Sequence, residues 1–126
     1  MEELTLRKAQ ILAKKLYVQL TEVQDISRQL AEALDRNDEV TARMLIGMRA
    51  EPINGAQQTR RALGALRDDL QEEETLRLTE LLNGAVPVTE QEYALAAQMK
   101  SNDQLLQQVL ALDKVLNLKI AREKSI

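Results

Sequence analysis

Apolar residues recur at steps of three and four through Leu6, Ala9, Ala13, Leu16, Leu20, Val23, Ser27, Leu30 and Leu34, with only Ser27 polar. That spacing places every member on one seam of a helix, and such a seam has to be buried against other helices. A second series, Leu105, Val109, Leu112 and Leu116, repeats the pattern near the other end. A chain that commits its apolar residues to seams folds as a helical bundle or coiled coil.

The first helix is predicted from about Glu3 to Leu34, a stretch without Gly or Pro. Asp35-Arg36-Asn37-Asp38 supplies turn chemistry, and Asp38 or Asn37 can cap the next helix. In that helix Val40, Met44 and Met48 mark one face, with Leu45 beside it and Gly47 allowing a close approach. Pro52 removes a backbone donor and restricts Glu51, and Asn54-Gly55 adds to the interruption. The middle helix therefore kinks or ends near Ala50. The apolar register resumes with Ile53, Ala56, Leu63, Leu66 and Leu70. A short helix is expected from Glu73 to Leu82, its acidic start favoured by the helix dipole and its end set by Asn83-Gly84. Ala85-Val86-Pro87-Val88 reads as a loop. Thr89-Glu90-Gln91-Glu92 is a capping box opening a last helix to about Glu123, within which Ser101 or Asn102 can cap a restart. The expected fold is all-α: one domain over residues 1–126, an antiparallel bundle with two long helices flanking a broken middle one.

The residue inventory excludes several functions. There is no His and no Cys, so imidazole acid–base catalysis, thiolate chemistry, disulfides and the Glu-x-x-His di-metal motif of bundles are absent. Gly47, Gly55, Gly64 and Gly84 are scattered and form no phosphate loop. Glu72, Glu73 and Glu74 are consecutive and fan apart on a helix. No catalytic residue, metal ligand or cofactor site is expected, and the chain does not read as an enzyme. The net charge of −3 gives no broad nucleic-acid surface; Arg60, Arg61 and Arg67 are followed at once by Asp68 and Asp69. Met1-Glu2-Glu3-Leu4 lacks the basic start and apolar run of a signal peptide, and no apolar stretch reaches membrane-span length. The expectation is a soluble, cytoplasmic protein with neither nucleic-acid nor membrane partners.

The last helix carries more apolar residues than one seam can hold. Leu106, Leu110, Val115, Leu118 and Ile120 lie outside the Leu105–Leu116 seam. Either the bundle wraps this helix on two sides, or the surplus is a face for a partner helix or for self-association. Met44, Met48 and Met99 read as core or as adaptable apolar contacts.

Leu30-Ala31-Glu32-Ala33-Leu34-Asp35-Arg36-Asn37-Asp38-Glu39-Val40, running on through Met44-Leu45-Ile46-Gly47-Met48-Arg49-Ala50-Glu51-Pro52-Ile53, resembles the flagellar export chaperones of the FlgN and FliT kind. In those small acidic helical proteins a long first helix ends in a polar turn holding an Asp, before a second helix with an apolar stripe. The resemblance implies a cytoplasmic chaperone that masks the amphipathic helix of a secreted hook-associated subunit. On that reading Leu106, Leu110, Val115, Leu118 and Ile120 carry the contact, and Lys114 and Lys119 steer an acidic partner. The alternative is a structural coiled-coil module that homo-oligomerises.

Overall fold

The computed structural model describes residues 3–124, which form four helices: α1 (Glu3–Asp35), α2 (Glu39–Ala65), α3 (Glu72–Leu82) and α4 (Glu90–Lys124). The protein is an all-α helical bundle, with no strand among the described residues. All nine residues of the first seam are buried, because α1 is the central rod and is packed by α2 and by α4.

Each connection follows from local chemistry. Asn37 takes a left-handed conformation (φ 57°). Its N–H bonds the Leu34 carbonyl at 3.1 Å, and that of Asp38 bonds Ala33 at 2.9 Å, a Schellman ending in which Asn tolerates the positive φ. Asp38 then caps α2 by accepting the Thr41 N–H at 3.1 Å, and hydrogen bonding from the Thr41 side chain, reinforced by this N–H, holds its carboxyl below the usual carboxylate range. The same ending recurs after α3. Gly84 sits at φ 95°, with Gly84 N–H on Leu81 at 3.2 Å and Ala85 N–H on Glu80 at 2.9 Å.

Three pairs set the helix directions. Asn102 meets Ala13, Gln108 meets Gln24, and Lys119 meets Asp35, so α4 runs parallel to α1. The three-residue turn Arg36-Asn37-Asp38 and the Thr59–Gln19 bond make α2 antiparallel to both. α3 crosses beneath, adding Leu78 and Leu81 to a large core with Leu6, Ala9, Leu63 and Leu95. A second cluster at the far end gathers Leu30, Ala33 and Leu34 with Ala42, Leu45 and Leu116.

Four expectations need correction. Of the two outcomes expected at Pro52, the ending is excluded, since α2 continues through it: the local penalty of about 3 kcal/mol is outweighed by burying Leu45 and Leu63 on either side, each contributing about 1.5–3 kcal/mol. The helix between the long rods is thus unbroken, and α1 rather than α2 occupies the middle. α1 is fitted for that place because eleven of its residues are buried, against six in α2. The buried face of α2 is Ala42, Leu45, Pro52, Ala56, Thr59 and Leu63, while Val40, Met44 and Met48 are exposed. Gly47 approaches nothing; the close approach is at Gly55, where a Cβ would lie 2.8 Å from Gln19 Nε2.

Candidate functional site

α2 and α4 each pack along α1 without packing their backbones on one another. The space between them is a groove of about 900 Å³. Leu16, Leu20 and Val23 of α1 form its floor, Ile53 and Ala56 of α2 one wall, and Met99, Leu106 and Leu110 of α4 the other. The α3–α4 loop, through Val86 and Pro87, closes one end. At the opposite end Asp113 lines the groove and pairs with Arg49 across it. From Ala96 to Asp113 the α4 wall is about 25 Å long at 1.5 Å per residue.

Polar side chains tie each wall to the floor. Asn102, buried, donates to the Ala13 carbonyl at 2.9 Å and accepts from Gln98 at 3.1 Å. It does not cap a restart of α4, which is continuous. Gln24 donates to Gln108 at 2.9 Å. On the other side Thr59 donates to Gln19 Oε1 at 2.8 Å, and its hydroxyl lies 3.0 Å from the Gly55 carbonyl. Gly55 leaves the room this Gln19 side chain needs. Buried polar pairs satisfied in only one alignment fix the register of packed helices. Here they hold both walls on α1, and the Arg49–Asp113 pair joins the walls to each other.

The closed end depends on Glu92. The Thr89 hydroxyl accepts the Glu92 N–H at 3.2 Å, as a capping box requires. The Glu92 carboxylate reaches past the Thr89 N–H to that of Val88 at 3.0 Å and to the Arg77 guanidinium. Arg77 also donates to the Val86 carbonyl at 3.0 Å, so one ion pair ties α3, the loop and the start of α4 together. The Arg77 hydrogen bond lowers the Glu92 pKa and the Val88 N–H adds to it, against the opposing effect of burial; the same pairing raises that of Arg77.

The residues expected to carry a partner contact are dispersed. Leu106 and Leu110 line the groove. Val115 and Leu118 are exposed but turned about 140° and 80° from Leu110 at 100° per residue, outside the groove lining. Ile120 packs against the second core cluster. Lys119 pairs with Asp35 of the same chain, whereas Lys114 is exposed. Sequence reasoning did not find Ile53, Met99 and the α1 floor as parts of one groove. Their helix periodicity announced burial, and a groove appears only once two helices stand apart on a third.

Among the described residues no group of three or more His, Cys, Asp or Glu could hold a metal ion, and no helix is long and apolar enough to cross a membrane. Comparison with protein-family models, with curated sequences and with solved structures finds no match.

Proposed function

We propose that this protein is a helix-binding chaperone or adaptor without catalytic activity, of the flagellar-export kind that its α1–α2 junction resembles. It acts in the cytoplasm and masks an amphipathic helix of a secreted hook-associated subunit. The observation that carries the reading is the open apolar groove between α2 and α4. A partner helix of about 17 residues matches the length of its wall. Laying an apolar face on Ile53, Met99, Leu106 and Leu110 would remove partly exposed side chains from water and turn three long helices into four. The tethered walls reduce the ordering cost of binding. Light scattering on the purified chain, alone and mixed with hook-associated subunits, tests it. A monomer that gains one partner's mass, and loses the partner on Leu110→Glu, supports the reading.

A second reading is a structural module that homo-oligomerises, favoured by Val115 and Leu118, exposed at 43% and 63% outside the groove. It expects a tight dimer, indifferent to every candidate subunit and dissociated by Leu118→Glu.

A further inference from the structure

On the outer side of α1 a seven-residue pattern repeats: Leu4-x-x-Arg7-Lys8, then Ile11-x-x-Lys14-Lys15, ending in the apolar Val18. Leu4, Ile11 and Val18 are 56%, 61% and 57% exposed, and all four cations are exposed as well. Seven residues fall only about 20° short of two full turns, so the three apolar side chains share one narrow strip. Each precedes a seam residue (Leu6, Ala13, Leu20) by two positions, about 200° of rotation. The strip therefore lies opposite the core and away from the groove. Arg7 and Lys14 border it on one side, Lys8 and Lys15 on the other. From Glu3 to Val18 the only acidic residue is Glu3, which pairs with Arg7 at 3.2 Å.

From this we infer that the outer face of α1 is a second docking surface, for an acidic amphipathic helix of another protein with apolar residues at seven-residue spacing and carboxylates on both flanks. Three features favour that occupant. Ile and Val are weaker helix formers than Ala or Lys, so at exposed positions they cost helix stability and gain nothing without a contact. An apolar strip one residue wide with cations on both flanks offers one apolar position per heptad, half of a full coiled-coil seam, and is narrower than the broad apolar face that binding at a lipid surface uses. A second copy of the same strip would set cation against cation. The surface is independent of the groove, and the two together would make the protein a two-faced adaptor.

The test uses a fluorescent 21-residue helical peptide with Leu or Ile at every seventh position and Glu on both flanks. A peptide of the same composition with its apolar residues dispersed is the control. The intact chain binds the first peptide one to one, and raising salt weakens the complex. Lys8→Glu with Lys15→Glu, and separately Ile11→Ser with Val18→Ser, each weaken it tenfold or more. Lys8→Arg with Lys15→Arg retains binding, as does Leu110→Glu in the groove; circular dichroism checks that each variant keeps its helices. The inference is overturned by no binding, by equal binding of the control peptide, or by loss of binding on Leu110→Glu alone. It is equally overturned by phosphatidylglycerol vesicles capturing the chain in place of the peptide, or by a dimer of the chain that the same α1 substitutions dissociate.

Discussion

Replacing Ser27 by Ala should stabilise the protein. Ser27 is fully buried in the α1 seam, between Val23 and Leu30, and its hydroxyl has no hydrogen-bond partner. An unpaired hydroxyl in an apolar interior costs about 1–3 kcal/mol. Alanine is also the better helix former, by at most about 0.7 kcal/mol. Against these stands the void left by one oxygen atom, whose cost is a few tenths of a kcal/mol, roughly, on the scale of buried cavities. The expected net gain is about 1–2 kcal/mol. At an unfolding entropy of about 2.1 cal/mol/K per residue, each kcal/mol moves the Tm of a chain this long by about 4 °C. Thermal and urea unfolding followed by circular dichroism should place Ser27→Ala roughly 4–8 °C above the parent, with an unchanged m-value. Ser27→Leu, which adds volume to the same closed site, should instead lose about 1–3 kcal/mol. A Ser27→Ala protein less stable than the parent would refute the reasoning, since the hydroxyl would then have to be bonded in the folded state.

The two helical glycines of α2 should respond oppositely. Gly47→Ala, with nothing near its Cβ, should add about 0.5–1 kcal/mol, whereas Gly55→Ala should add nothing or destabilise, because it displaces Gln19 from Thr59; urea unfolding of both variants decides. Leu30→Ala, which empties a fully buried site in the second cluster, should cost about 3–5 kcal/mol in the same assay. The lowered pKa of Glu92 means that the unfolded chain takes up its proton first on acidification. Its contribution to stability is present above the ordinary value of 4.5 and is lost as pH falls through the lowered one. Melting curves from pH 6 to pH 3 should therefore fall less steeply for Glu92→Gln than for the parent, and parallel slopes would remove the Arg77–Glu92 pair from the acid response.

Elements legible in the sequence were those whose cause is local. The Asn37-Asp38 junction, the Asn83-Gly84 stop and the Thr89 cap rest on contacts within a few residues, and each forms where the side-chain chemistry requires it; the α1 seam shows in its three- and four-residue spacing, while α2 and α4 supply its burial. Pro52 misled for the same reason. Read locally it interrupts a helix, and only the burial of Leu45 and Leu63 on α1 carries α2 through it. The stripe Val40, Met44 and Met48 has the spacing of a buried face, but spacing does not say which of two adjacent stripes turns inward. The parts of the partner surface that could be read, Leu106 and Leu110, were visible as apolar surplus on α4; the α1 and α2 sides of the groove were hidden among residues that looked like ordinary core.

Sequence by itself determined that this chain is helical, where its caps fall, and that α1 buries one continuous seam, because helix formation and capping are settled over three to five residues. Tertiary structure alone decided that α1 lies in the middle, that α2 and α4 stand apart over Leu16, Leu20 and Val23, and that Val115 and Leu118 face away from the groove between them. Those outcomes depend on how long rods share a limited apolar surface. Pairs such as Asn102–Ala13 and Gln24–Gln108 select among the possible alignments, and they join residues more than 80 positions apart.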